Sequence, residues 1–171
     1  DPALIAAGEK LAKPAGVAAD YLRADLVADL DHVFDRPVDL VTASALIDLV
    51  SSAWLERLLA KLATRPTALL IVLSYDGRME FERADRQAGD LDRIGREVVA
   101  LFNRHQRTDK GFGPALGPTA AAELELGLGT LGKPIAVESD WVFGPSDRAI
   151  LLPFLRGVAD AAAEIAEPGQ R

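Results

Sequence analysis

The sequence predicts an α/β domain in which helices layer onto a mostly parallel sheet, and three patterns carry that expectation. Residues 38–43 and 68–74 are apolar runs of strand length, the second apolar on both faces as a central parallel strand is. Between them Leu55, Leu58, Leu59 and Leu62 recur at helical spacing, and Arg65-Pro66 closes that helix. Strand, helix and strand over this distance make a right-handed βαβ crossover.

The remaining elements follow in chain order. Asp1 stands as a helix N-cap and Pro2 at the first helical position, where a missing N–H costs nothing. Ala3, Leu4, Ala6, Ala7 and Leu11 form the apolar stripe of that helix, which Lys13-Pro14 ends. A helix at the first residue with no strand before it implies that an N-terminal βαβ unit is missing from the chain. Residues 17–24 read as a modest strand ending at Asp25-Leu26. After the central strand, Asp76-Gly77-Arg78 marks a turn, and residues 87–107 carry a helical pattern with Ile94, Val98, Leu101 and Phe102 on one side. Gly111, Gly113, Pro114, Gly117 and Pro118 make 108–118 the richest loop signal. Residues 118–131 are a helix candidate, 135–137 a short strand and 147–166 an Ala/Leu-rich helix. There is no tandem repeat, and 171 residues suit a single domain over 1–171.

Composition narrows the chemistry. A net charge of -7 argues against nucleic acid as a partner, because binding to phosphate backbones needs clustered positive charge. With no Cys and only His32 and His105, disulfides, thiolate catalysis and the usual zinc constellations are excluded, and a reducing cytoplasm is the expected location. The longest apolar run, near residues 68–73, is far short of the ~20 that span a bilayer. A small-molecule substrate and no membrane are therefore expected, with a homo-oligomer left open.

In open parallel sheets, ligands collect beyond the carboxyl ends of the strands. That rule selects Asp25-Leu26, Ala43-Ser44 and Ser74-Tyr75-Asp76. The plainer alternative is that Asp25 caps a turn and Ser44 caps a helix. Gly127-Leu128-Gly129-Thr130-Leu131-Gly132 satisfies G-x-G-x-x-G, but it follows a helix pattern instead of a strand and reads as a helix end and loop. Trp54 and Trp141 read as packing anchors.

Arg23-Ala24-Asp25-Leu26, the run from Pro37 to Val50, and the strand and turn from Leu70 to Gly77 resemble the third to fifth motif regions of class I S-adenosylmethionine-dependent methyltransferases. The run from Phe102 to Pro114 resembles a segment of a bacterial methyltransferase-like group of undefined substrate. The likeness spans nearly the whole chain, and it implies a three-layer Rossmann-like methyltransferase fold whose glycine-rich first motif has no counterpart here. It also implies S-adenosylmethionine as cofactor, with Asp25 at the adenine amino group, Leu26 facing the ring, Ala43 and Ser44 near the methionine end, and Asp1 close to the ribose position. On that footing Tyr75, Asn103, Arg107 and Lys110 are candidates for the substrate pocket. His105 is the candidate base, its ordinary pKa lying near neutrality, and Asp48 is a second one. Two alternatives stand beside this reading. Residues 103–114 could be a solvated helix end whose cations complement the dipole, and the whole chain could be a non-catalytic interaction module that keeps the sheet without the cofactor.

Overall fold

The computed structural model describes residues 2–72, 74–81 and 90–166. The chain divides into two compact units, Asp1–Val38 and Asp39–Arg171. The first holds helices α1 (Pro2–Ala12) and α2 (Leu30–Val33). The second holds β1 (Leu40–Ser44), α3 (Ser52–Ala63), β2 (Ala68–Val72), α4 (Asp90–Gln106), α5 (Ala120–Gly129) and α6 (Arg148–Ile165), with 3₁₀ turns at Gly117–Thr119 and Pro145–Asp147. Among the described residues this is a mixed α/β chain with six helices and a two-stranded parallel sheet. No helix in that set is long and apolar enough to cross a membrane.

In the first unit, α1 begins at Pro2 as its sequence predicts, and none of its residues is buried. Leu30 and Phe34, in and just after α2, are almost wholly buried. The strand expected over 17–24 does not form. That stretch has no ladder partner among the described residues, Val17 and Leu22 stay exposed, and three alanines, Asp20 and Arg23 give it little preference for a pleated surface.

The predicted βαβ unit stands in the second. β1 and β2 pair in parallel from Leu40 opposite Ala68 to Ser44 opposite Val72, and α3 joins them. Helix α3 starts where Ser51 Oγ accepts a hydrogen bond from the Trp54 N–H at 3.3 Å, so the cap is Ser51, not Ser44. Ser44 is the last residue of β1 and lies too far upstream to reach an orphan N–H of the helix. Trp54, Leu55, Leu58 and Leu62 supply the buried face of α3. Leu59, the fourth leucine of the predicted stripe, meets α5 at Gly127, where a Cβ would collide with its Cδ1. Those two helices approach closely because Gly127 has no side chain.

The sheet departs from expectation on one point. Leu40 and Leu70 are each 52% exposed and Val72 is exposed beside them, so β2 is not covered on both faces by the described residues. A sheet of two strands has too little width to bury both of its surfaces. Elsewhere Leu101 of α4 packs with Ala162 and Ala166 at the end of α6, flanked by Val98 and Ile165, the alanines allowing close approach. The helices expected over 118–131 and 147–166 are present as α5 and α6. The strand expected over 135–137 is not: Ile135 and Val137 are almost fully exposed and pair with nothing among the described residues, so β-branched composition alone leaves them in a coil. Trp54 is an anchor as predicted, buried with its ring edge-on to Phe112 at 5.7 Å. Trp141 is not; it is 64% exposed and meets only the edge of Phe143 among rings.

Ser51→Ala removes the α3 cap and is expected to lower unfolding stability by about 1 kcal/mol, while Ser44→Ala changes it by only a few tenths. Urea denaturation of the two variants checks this, and equal effects would contradict the assignment.

Candidate functional site

Two loops leave the carboxyl ends of the parallel strands in the second unit. At the end of β1 the Ala45 N–H donates to the Val72 carbonyl at 3.2 Å, and Ala45 itself takes a left-handed φ of 51°. A non-glycine residue there is strained and persists only where its surroundings hold it. Fully buried Ile47 and Val50 anchor the loop that follows, with Asp48 between them. The Asp48 carbonyl accepts from the Gly117 N–H and the Val50 carbonyl from the Leu116 N–H, both at 2.8 Å.

Beyond β2, the Tyr75 hydroxyl donates to Asn103 Oδ1 at 2.8 Å, and Asn103 Nδ2 donates to the Gly77 carbonyl at 3.0 Å. Phe102 meets the Tyr75 ring edge-on at 5.5 Å. Gly77 turns the chain with φ 87°, and a Cβ on it would sit 2.7 Å from Pro118 Cβ. Gly117 and Pro118 therefore touch the two strand-end loops at once, which brings Asp48 and Gly77 into one neighbourhood. Tyr75 and Asn103, both expected at a substrate pocket, are together.

Two polar atoms here lack partners. Asp48 Oδ1 and Ser74 Oγ are shielded from solvent, and neither makes a hydrogen bond among the described residues. A buried group left unpaired costs about 1–3 kcal/mol, so such a pair is unusual unless something else meets it. Burial pushes the Asp48 carboxyl above its ordinary pKa, although its own backbone N–H partly opposes the shift. Burial, helped by the neighbouring Asp76 carboxylate, pushes the Tyr75 phenol up to about 12, so it remains a donor at neutral pH. For Asp76 burial acts in the same upward direction, but hydrogen bonds from the Arg78 backbone and guanidinium outweigh it and hold the carboxyl below the ordinary value. Arg78 also reaches Glu138 at 3.1 Å and Asp140 at 3.5 Å, tying the 133–144 segment to this turn.

The other expected site residues lie elsewhere. Asp1 is outside the described residues. Asp25 belongs to the first unit, where its Oδ1 accepts from the Val27 and Ala28 N–H groups at 2.8 and 3.4 Å, the turn-capping alternative, with Leu26 next to it. Ala43 and Ser44 end β1 as expected. His105 is on α4 but points about 200° away from Asn103 around the helix, at two residues' spacing. Its Nε2 lies 3.1 Å from Glu164 Oε2 of α6, and its Nδ1 is buried without a partner among the described residues. Arg107 is exposed just past α4, and Lys110 is part-exposed on a loop pinned by Asp109 Oδ1, which accepts from the Gly111 and Gly113 N–H groups at 2.7 and 2.9 Å. That loop is further held by Phe112 against Trp54. The G-x-G-x-x-G segment closes α5, with the Gly132 N–H donating to the Leu128 carbonyl at 3.0 Å, as a helix end does. The described residues contain no group of three His, Asp or Glu side chains placed to hold a metal ion.

Sequence reasoning selected Ser74 only as a strand end, and it had no signal for the strain at Ala45. No protein-family model, curated protein or solved structure matches the chain.

Two measurements test this geometry. Gly77→Ala places a Cβ in a left-handed residue and against Pro118, and is expected to cost about 2 kcal/mol or more in urea unfolding; a neutral effect would contradict the close approach. An acid with its folded pKa above its unfolded one binds more protons when folded, so its contribution to stability falls as pH rises through that interval. Asp48→Asn is therefore expected to be more favourable relative to wild type near neutral pH than below about pH 3.9, the ordinary aspartate value. A difference independent of pH would show that Asp48 is not desolvated.

Proposed function

We propose that this chain carries the carboxyl-edge half of an S-adenosylmethionine-dependent methyltransferase site, built on a Rossmann-like sheet of which β1 and β2 are two strands. The observation that supports this reading best is the coincidence of place. The residues that resemble the family's motifs, Ala43-Ser44 and Ser74 to Gly77, end two parallel strands in register, and the unpartnered Asp48 Oδ1 and Ser74 Oγ lie in the same loops. The half-exposed face of Leu40, Leu70 and Val72 suits a sheet that a second helical layer covers, as parallel sheets generally require.

Methyl transfer from a sulfonium is an in-line displacement. The acceptor's lone pair forms the new bond to the methyl carbon as the sulfur–carbon bond breaks, and sulfur keeps the electron pair. The protein's task is to align nucleophile and methyl, with a base only where the acceptor carries a proton. In this reading Ala43 and Ser44 approach the methionine end of the cofactor, and Tyr75 with Asn103 sets the wall of the acceptor side. Asp48 is the better-placed base, since His105 faces α6 and Glu164.

A second reading, a non-catalytic interaction module, draws support from Asp25, whose carboxylate already holds its own turn. Isothermal titration of S-adenosylmethionine into the protein separates the two. Saturable binding that Ser44→Trp abolishes is the expected result; no heat at millimolar ligand would leave the module.

A further inference from the structure

We propose that the Asp76–Gly77 bond is a modification site, at which the aspartate isomerises through a succinimide, and that Arg78 is the clamp that holds it closed. The inference stands apart from the methyl-transfer reading. Asp76-Gly77 is the single Asp-Gly pair among the chain's 14 glycines, and the one Asn, Asn103, is followed by Arg104. An aspartate before glycine is the most open to this rearrangement, because the attacking amide belongs to a residue with no Cβ to obstruct its approach to the carboxyl carbon.

The surroundings of the bond decide whether that chemistry runs. Asp76 Oδ1 accepts from the Arg78 backbone N–H at 3.0 Å, and Oδ2 accepts from Arg78 Nε–H at 2.6 Å. One residue therefore holds both carboxyl oxygens. Ring closure needs a protonated carboxyl, so that water can leave, and a side chain free to swing its Cγ onto the Gly77 nitrogen. A charge-assisted pair favours the ionised form, and a two-point grip restrains the swing. Asn103 reinforces the grip by bridging the bond, accepting from the Tyr75 hydroxyl at 2.8 Å and donating to the Gly77 carbonyl at 3.0 Å. The clamp is also shared. The Arg78 guanidinium reaches Glu138 at 3.1 Å and Asp140 at 3.5 Å, so three carboxylates draw on one cation. The Asp76 side chain is 38% exposed, which gives water access to the turn.

The steps balance without a co-reactant other than water. The Gly77 nitrogen forms a bond to Asp76 Cγ and gives up its proton, while the Cγ–OH bond breaks and hydroxyl and proton depart as water. Water then adds to one of the two imide carbonyls. Opening at one restores aspartate, and opening at the other leaves isoaspartate, with the main chain routed through Cβ and the mass unchanged. The extra backbone atom falls between Tyr75 and Gly77, the two residues that Asn103 joins, so isomerisation alters the loop after β2.

The test is incubation of the whole chain in mildly acidic buffer, with isoaspartate at residue 76 measured by liquid chromatography and mass spectrometry after digestion with a protease that cuts before aspartate and not before isoaspartate. A synthetic peptide of residues 72–80 gives the unclamped rate, and each variant is read against the peptide bearing the same substitution. Wild type is expected to isomerise about tenfold or more slowly than its peptide, the scale of one hydrogen bond to a charged group, and Arg78→Ala to recover most of that difference. Arg78→Lys keeps the charge without the Nε–H donor and is expected to fall between them. Glu138→Gln with Asp140→Asn leaves Arg78 to Asp76 alone and is expected to slow the reaction further, an effect that general loosening of the fold does not produce. Amide spectra establish that each variant is folded; if Arg78→Ala is not, Arg78→Lys and the double variant decide. Wild type reacting as fast as its peptide would overturn the clamp, as would folded Arg78 variants reacting no faster than wild type or a double variant that reacts faster.

Discussion

The arrangement of the second unit depends on one short constraint, the 3₁₀ turn Gly117–Thr119 and the residue before it. Leu116 and Gly117 donate to the carbonyls of Val50 and Asp48, which fixes the loop after β1. Pro118 fills the space that a side chain on residue 77 would need, which fixes the loop after β2. Gly117 can do this because it has a left-handed φ of 51° and no Cβ; an added Cβ would sit 3.0 Å from the Gln106 carbonyl at the end of α4. Strand ends, helix end and turn are thereby locked by contacts that only small or backbone groups can make. Side-chain chemistry is then placed on a backbone that has little freedom left.

That rigidity gives the unpartnered atoms their meaning. A flexible loop would turn Asp48 or Ser74 toward solvent and regain the lost hydrogen bonds. Here Ile47 and Val50 are buried on either side of Asp48, and the backbone is held at both Asp48 and Val50. The unmet polar groups persist because burial of their neighbours outweighs their cost. Proteins commonly accept such local conflict where a ligand later resolves it.

The sequence made legible those parts of the fold that follow from local periodicity. The leucines of α3, the crossover between two strands, the turn at Asp76-Gly77-Arg78 and the helices α5 and α6 were all visible as patterns. Strands that need a neighbour were not: 17–24 and 135–137 have strand-like composition, yet a strand exists only if another lies beside it, and periodicity carries no information about that. The cap of α3 was legible in type but not in place, because serines at 44 and 51 look alike until the end of β1 is known. Tyr75 and Asn103, both expected at one pocket, do lie side by side, joined by the hydrogen bond from the Tyr75 hydroxyl to Asn103 Oδ1. His105 was grouped with them by proximity in sequence, whereas two residues along a helix reverse the direction of a side chain. The orphan oxygen of Ser74 depends on packing in three dimensions and left no trace in the sequence.

The central claim is that the carboxyl ends of β1 and β2 form a ligand-receiving edge. Mapping backbone amide shifts across the chain on addition of S-adenosylhomocysteine tests it most directly. The account predicts saturable shifts concentrated at residues 43–48 and 74–77, with little change along α6. Absence of shifts at those two loops, with saturable changes confined to other surfaces, would contradict it.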